Sequence, residues 1–320
     1  MLAIDRTALV VLLAVLAPRA GAAQSASDSI EATSLLGKPL VRPPLTERNR
    51  VDLEAKLETA RQAFEHAPTD PDSIIWLGRR TAYLGRYREA IAIFTRGIAL
   101  HPTDARFYRH RGHRYLTIRR IDDGIRDFER ADLLTRRQPD QVEPDGQPNA
   151  RGIPTSTLQS NIRYHLGLAY YLKGNFVRAA ELFRRDILAA ANPDMVVASS
   201  HWLYMALRRL GRVNDADRVL AAITPDMEVI ENLSYHRLLL MYKGARSAND
   251  VAPPERGDAV QDATVLYGIA NWHLYHGRKA SARKLFEQIV ALPQWGAFGY
   301  LAAEAELARA RTTKGGDGGD

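Results

Sequence analysis

Along most of this chain, apolar residues recur at the three- and four-residue spacing of helices that bury one face. The clearest stretch is residues 72–102. There Ile74, Leu77, Gly78 and Thr81 share one stripe, Gly85-Arg86-Tyr87 supplies a turn, and Ala90, Phe94 and Gly97 form a second stripe that Pro102 ends. Two helices this short cannot bury both their faces alone, so the pattern requires neighbours. About 34 residues further on, the spacing of one class of helical repeat, Tyr108, Gly112, Tyr115, Gly124, Phe128 and Ala131 restate it. It resumes with Leu166, Gly167, Tyr170, Gly174-Asn175-Phe176, Ala179 and Phe183, and then with Leu203, Leu207, Leu210-Gly211-Arg212, Ala216 and Leu220. A last copy carries Leu266, Ile269, Gly277-Arg278, Ala282, Phe286 and Ile289.

On these residues the chain resembles the tetratricopeptide repeat (TPR) proteins. The resemblance implies an all-α fold, a right-handed solenoid of antiparallel helix pairs in which small residues let helices approach and Phe and Tyr fill the gaps. A single solenoid over 48–311 is expected, with repeats near 71–104, 105–138, 160–193, 197–230 and 263–294 and a degenerate copy at 231–258. Two copies depart from the pattern. Tyr204 stands where the others place a small residue, and the prolines near 254 break the second helix of the degenerate copy. Residues 50–66 read as a helix covering the open end of the stack, and 298–311 as a closing helix with Glu304 and Glu306 on its outer face.

The periodicity stops in four places. Residues 1–23 combine an early positive charge, an apolar run too short to span a membrane and a small-residue stretch, which reads as a cleavable export signal. Residues 24–47 have no sustained period and read as a flexible leader, and the Gly-rich 312–320 as a disordered tail. The fourth interruption, 139–157, holds four prolines and two glycines. Its Asp145-Gly146 and Pro148-Asn149 steps favour an ordered crossing, and its acids Asp140, Glu143 and Asp145 are suited to folding toward a basic groove.

Composition narrows the chemistry. The absence of cysteine removes disulfides, thiolate metal sites and thiol nucleophiles, and a formal charge of +7 over 320 residues is too dilute for a nucleic-acid surface. No GxSxG, phosphate-binding glycine loop or HExxH occurs, so no enzyme activity, cofactor or metal is expected. The resemblance implies that the first helix of each pair lines a concave face that binds a protein or peptide. The positions flanking its small residue give Arg79, Arg106, Arg109, His113, Asn161, Tyr164, Tyr171, His201, Arg208, Glu231, Tyr267 and Asn271. Arginines with Tyr and Asn suit a ligand bearing carboxylates. The alternative is a small-ligand or metal site between the 139–157 insertion and the central helices, where His165, His201, His236 and Glu231 fall on successive elements.

Overall fold

The computed structural model describes residues 30–253 and 259–315. A short hairpin, β1 (Ile30–Thr33) and β2 (Pro39–Val41), precedes α1 (Glu47–His66). Helix pairs follow: α2 (Pro71–Tyr83) with α3 (Tyr87–Leu100), α4 (Ala105–Thr117) with α5 (Ile121–Thr135), and α6 (Leu158–Leu172) with α7 (Phe176–Leu188). Next come α8 (Pro193–Arg209) with α9 (Val213–Ala221), α10 (Leu233–Tyr242) with the single turn α11 (Ala248–Val251), α12 (Ala259–Tyr275) with α13 (Lys279–Ile289), and finally α14 (Phe298–Gly315). Side chains mark where first helices begin. Asp70, Asp104, Thr157 and Asn192 each accept a backbone N–H of the opening turn.

Close approach within and between pairs depends on the small residues. A Cβ on Gly78 would sit 2.4 Å from Phe94, on Gly97 2.2 Å from Phe107, and on Gly167 2.9 Å from Phe183. The three rings are essentially inaccessible to water, so the space a larger residue needs is already filled. Tyr204 solves the same position differently. It is buried and stacks on Tyr242 of α10 with ring centroids 4.7 Å apart.

The array does not stay open. Helix α14 packs on α12 and α13 and also reaches back to α6, so it runs inside the curve of the solenoid. Phe298 lies against His113 and His165, Glu306 pairs with Arg209, and Arg309 donates to the carbonyl of Leu172 at 2.6 Å. One continuous apolar core consequently runs from Ala32 in β1 to Leu307 in α14.

Closure is fastened at Glu304, which is completely buried. Arg119 Nη2 reaches its Oε2 at 2.6 Å, and the Leu35 N–H donates to its Oε1. Arg119 occupies the turn between α4 and α5, where the corresponding turns use Gly85, Gly174, Gly211 and Gly277; it shares their left-handed backbone at φ 67°. A side chain there costs on the order of 1 kcal/mol. The guanidinium offsets that cost by also donating to the carbonyls of Thr117 and Trp295, and by lying 5.1 Å over the Trp295 ring.

Three expectations are corrected. The 24–47 leader is ordered from Ile30 onward: Ala32 and Leu40 are buried, Glu31 accepts from Arg42 and from the Arg88 N–H, and Trp295 donates to the Val41 carbonyl at 2.6 Å. Glu304 and Glu306 face inward, because arginines far away in sequence supply their charge partners. The last helix continues to Gly315, into the segment read as tail. Residues 1–29, which hold the export-signal segment, and 316–320 lie outside the described residues.

Removing the carboxylate alone should leave Arg119 buried without its partner. Glu304→Ala is expected to cost about 3–5 kcal/mol, read as a lower urea midpoint at unchanged slope. A loss below about 1 kcal/mol would show that the pair contributes little to closure.

Candidate functional site

The concave face is partitioned by its own curvature. Of the twelve residues placed there by sequence, Tyr171, Tyr267, Asn271 and His201 are buried in the core, so they are not groove surface. Tyr267 and Asn271 both donate to the Tyr171 hydroxyl, at 2.9 and 3.2 Å, tying α12 to α6. His201 stacks between Tyr235 and Tyr242 with both ring nitrogens unpartnered. Arg208 lies against Tyr204 and Tyr275, away from the other candidates. Arg106 stands at the rim, paired with Asp104 and Asp72.

The remaining six come together under the 139–157 insertion. That segment closes on itself: the Glu143 N–H donates to the Ser156 carbonyl at 3.1 Å and the Leu158 N–H to the Gln141 carbonyl at 2.8 Å. From this base it straps the mouth of the solenoid. Arg79 and Arg80 on α2 donate to the carbonyls of Pro144 and Gly146 at 2.8 and 2.7 Å. At the far side Glu231 accepts from Asn149 at 2.6 Å and from Thr155 at 2.8 Å. Gly146 is obligatory in this path, since a Cβ would fall 1.8 Å from the Tyr83 hydroxyl.

Beneath the strap are two adjoining chambers. The smaller, about 110 Å³, is bounded by Arg79, Arg109, Arg114, His110, His113 and Glu143. Arg109 and Glu143 stand 2.9 Å apart with side chains about 10% exposed. Three arginines here face one lining carboxylate, and the buried charge is incompletely matched. Burial lowers the pKa of Arg109 despite Glu143, and lowers that of Arg114. The histidines do not add charge. His110 and His113 each accept an arginine N–H at Nδ1, at 3.2 and 2.7 Å, and burial holds both well below the usual histidine range.

The larger chamber, about 260 Å³, is bounded by Ser156, Asn161, Tyr164, Glu231, Tyr235 and Phe298 among others. Its aromatic wall is fixed by a relay in which Trp202 donates to the Tyr164 hydroxyl at 2.8 Å, itself 3.2 Å from the Tyr235 hydroxyl. Asn161 links the chambers, donating to Glu143 at 3.1 Å. Burial, and then Glu231, pushes the nearby Asp145 carboxyl upward.

Sequence offsets missed Arg114, Tyr235 and Phe298. Arg114 follows His113 directly but is not among the positions read as lining the concave face, Tyr235 belongs to the degenerate copy, and Phe298 arrives from α14 with no local signal. The histidines considered as a composite metal site diverge: His165 donates from Nδ1 to the Asn161 carbonyl, while His236 is bonded to the Thr224 carbonyl. Among the described residues no three His, Asp or Glu side chains stand where they could share an ion.

Burial lowers the pKa of His110, His113, His165 and His201, which predicts an acid-sensitive fold. Burial takes His165 and His201 down to about 3. Between about pH 6.5 and 3 the unfolded chain binds protons that the folded chain refuses, so stability falls with pH by up to about 1.4 kcal/mol per unit for each. His201→Phe keeps the stacking and removes one such site. Its acid-unfolding midpoint should move to lower pH while stability at pH 8 stays within about 1.5 kcal/mol of the parent; an unmoved midpoint would refute the assignment.

No family model matches the chain, and no curated protein sequence matches it either. Solved structures similar to it include a tetratricopeptide repeat protein from Parabacteroides merdae, 14% identical over 81% of this chain and 94% of that one, with a TM-score of 0.48. YrrB, described as a TPR protein with an unusual peptide-binding site, is 14% identical over 78% and 98% of the two chains at 0.43. MamA is 16% identical over 62% and 95% at 0.42. In its own geometry, with glycine-seated helix pairs stacked first helix on first helix, this chain is a TPR-like α-solenoid.

Proposed function

We propose that the protein is an exported, non-enzymatic interaction scaffold that takes an acidic segment of a partner protein into the chamber formed by Arg79, Arg109 and Arg114. The observation that carries this reading is the buried Arg109–Glu143 pair. Glu143 belongs to a strap whose remaining hold on α2 consists of hydrogen bonds to carbonyls, so an incoming carboxylate has a charge partner in Arg109 and one internal competitor. The partner engages the N-terminal half of the concave side, since α14 fills the rest. Export rests on the character of residues 1–23, and predicts that the protein recovered from its native compartment begins near residue 23 or 24.

A second reading, a small ligand held in the aromatic chamber, is favoured by its size and by convergent Asn161, Tyr164 and Tyr235. The two separate experimentally. Under the first, Glu143→Gln should raise the yield and affinity of an acidic partner captured from the envelope fraction by about tenfold, or 1.4 kcal/mol, and Arg109→Gln should abolish capture. It should also let acetate at tens of millimolar raise the melting temperature of Glu143→Gln. Unchanged capture in both variants, with no acetate effect, would discard the acidic-segment reading.

A further inference from the structure

On the outer side of the solenoid, α7 and α9 form the walls of a groove floored by α8. It measures about 500 Å³, within the range of about 300–1,000 Å³ typical of ligand pockets. Its origin lies in helix length. The second helices α3, α5, α7 and α13 run 14, 15, 13 and 11 residues, whereas α9 runs only nine. The chain leaves α9 early because Ile223 turns into the core and Lys243 of the α10 C-cap takes the carbonyl of Ile223 at 2.6 Å. The last turn of α7 therefore has no opposing helix. Leu188 is 83% exposed there, beside Ile187, with Val196 and Leu203 forming an apolar floor and Val219 on the facing wall.

The rim is cationic. The Arg184 side chain on α7 has no ion pair or hydrogen bond among the described residues, and on the opposite wall Arg212 and Arg218 share one acid, Asp215. An apolar channel between two helices, bordered on both sides by arginines, matches a third helix with an apolar stripe and acidic flanks. We propose that this outer groove docks an acidic amphipathic helix of a partner protein. The groove lies on the far side of α8 from the strap, so a scaffold using both sites holds two segments at once.

The test uses the chain from residue 24 to 320 and a fluorescein-labelled 16-residue probe peptide with leucines at helical i, i+3, i+4, i+7 spacing and glutamates elsewhere. A second probe replaces every glutamate with lysine. The glutamate peptide should bind by fluorescence anisotropy, weakening as salt rises, and the lysine peptide should not. Arg184→Glu with Leu188→Glu, both at exposed positions, should weaken binding at least tenfold, while Arg109→Gln leaves it unchanged. The proposal is overturned if the double variant binds as the parent does, if the lysine peptide binds equally, or if Arg109→Gln is the variant that loses binding. It is likewise overturned if the double variant instead loses sedimentation with phosphatidylglycerol vesicles, or concentration-dependent self-association, while peptide binding persists.

Discussion

One carboxylate without access to water, that of Glu304, joins three parts of the chain far apart in sequence. Burying a charge is expensive, and it is tolerated here because a guanidinium, a backbone N–H and the ring of Trp295 surround the pair. The left-handed backbone of Arg119 is a second cost at the same point. Both are met by geometry that exists only when the hairpin, the α4–α5 turn and α14 have all arrived. The pair accordingly reports on closure as a whole.

Closure decides what the inner face can be. In an open solenoid the first helices offer a long groove, but here α14 lies against α6, α12 and α13, and rows of tyrosine and histidine become core. The accessible chemistry is displaced to the edges of that core. One edge is the chamber under the strap, where arginines exceed the carboxylates that line it, and the other is the outer channel left by a helix that ends early.

The repeats were legible because each is a local object. Gly78 with Phe94, and Gly167 with Phe183, announce a close contact from sixteen residues apart, and the structure makes both. The strap was legible in outline from its turn residues and its acids. What sequence could not convey was the tightness of the curl, a sum of small rotations between pairs that no single repeat encodes. That sum explains why Arg79, Arg109 and Asn161 line a chamber while Tyr171, Tyr267 and Asn271 are core, although all were read by one rule. Glu304 and Glu306 looked like solvent-facing residues because Arg119 and Arg209, which draw them inward, lie 185 and 97 positions away, although the nearby Arg309 also pairs with Glu306. The hairpin carries little sequence signal, since its apolar contact comes from the buried Ala32 and Leu40 and the half-buried Leu36.

A stack that gains stability by adding neighbours can ordinarily lose or duplicate a unit and remain a protein. The latch at Glu304 withdraws that freedom. Inserting or deleting one helix pair anywhere between Arg119 and Glu304 would rotate α14 out of reach of the turn it must meet, leaving a buried acid and a buried base apart. Repeat number in this chain is therefore a closed quantity, as strand number is in a barrel. Its evolution by simple duplication ends where the ring is fastened.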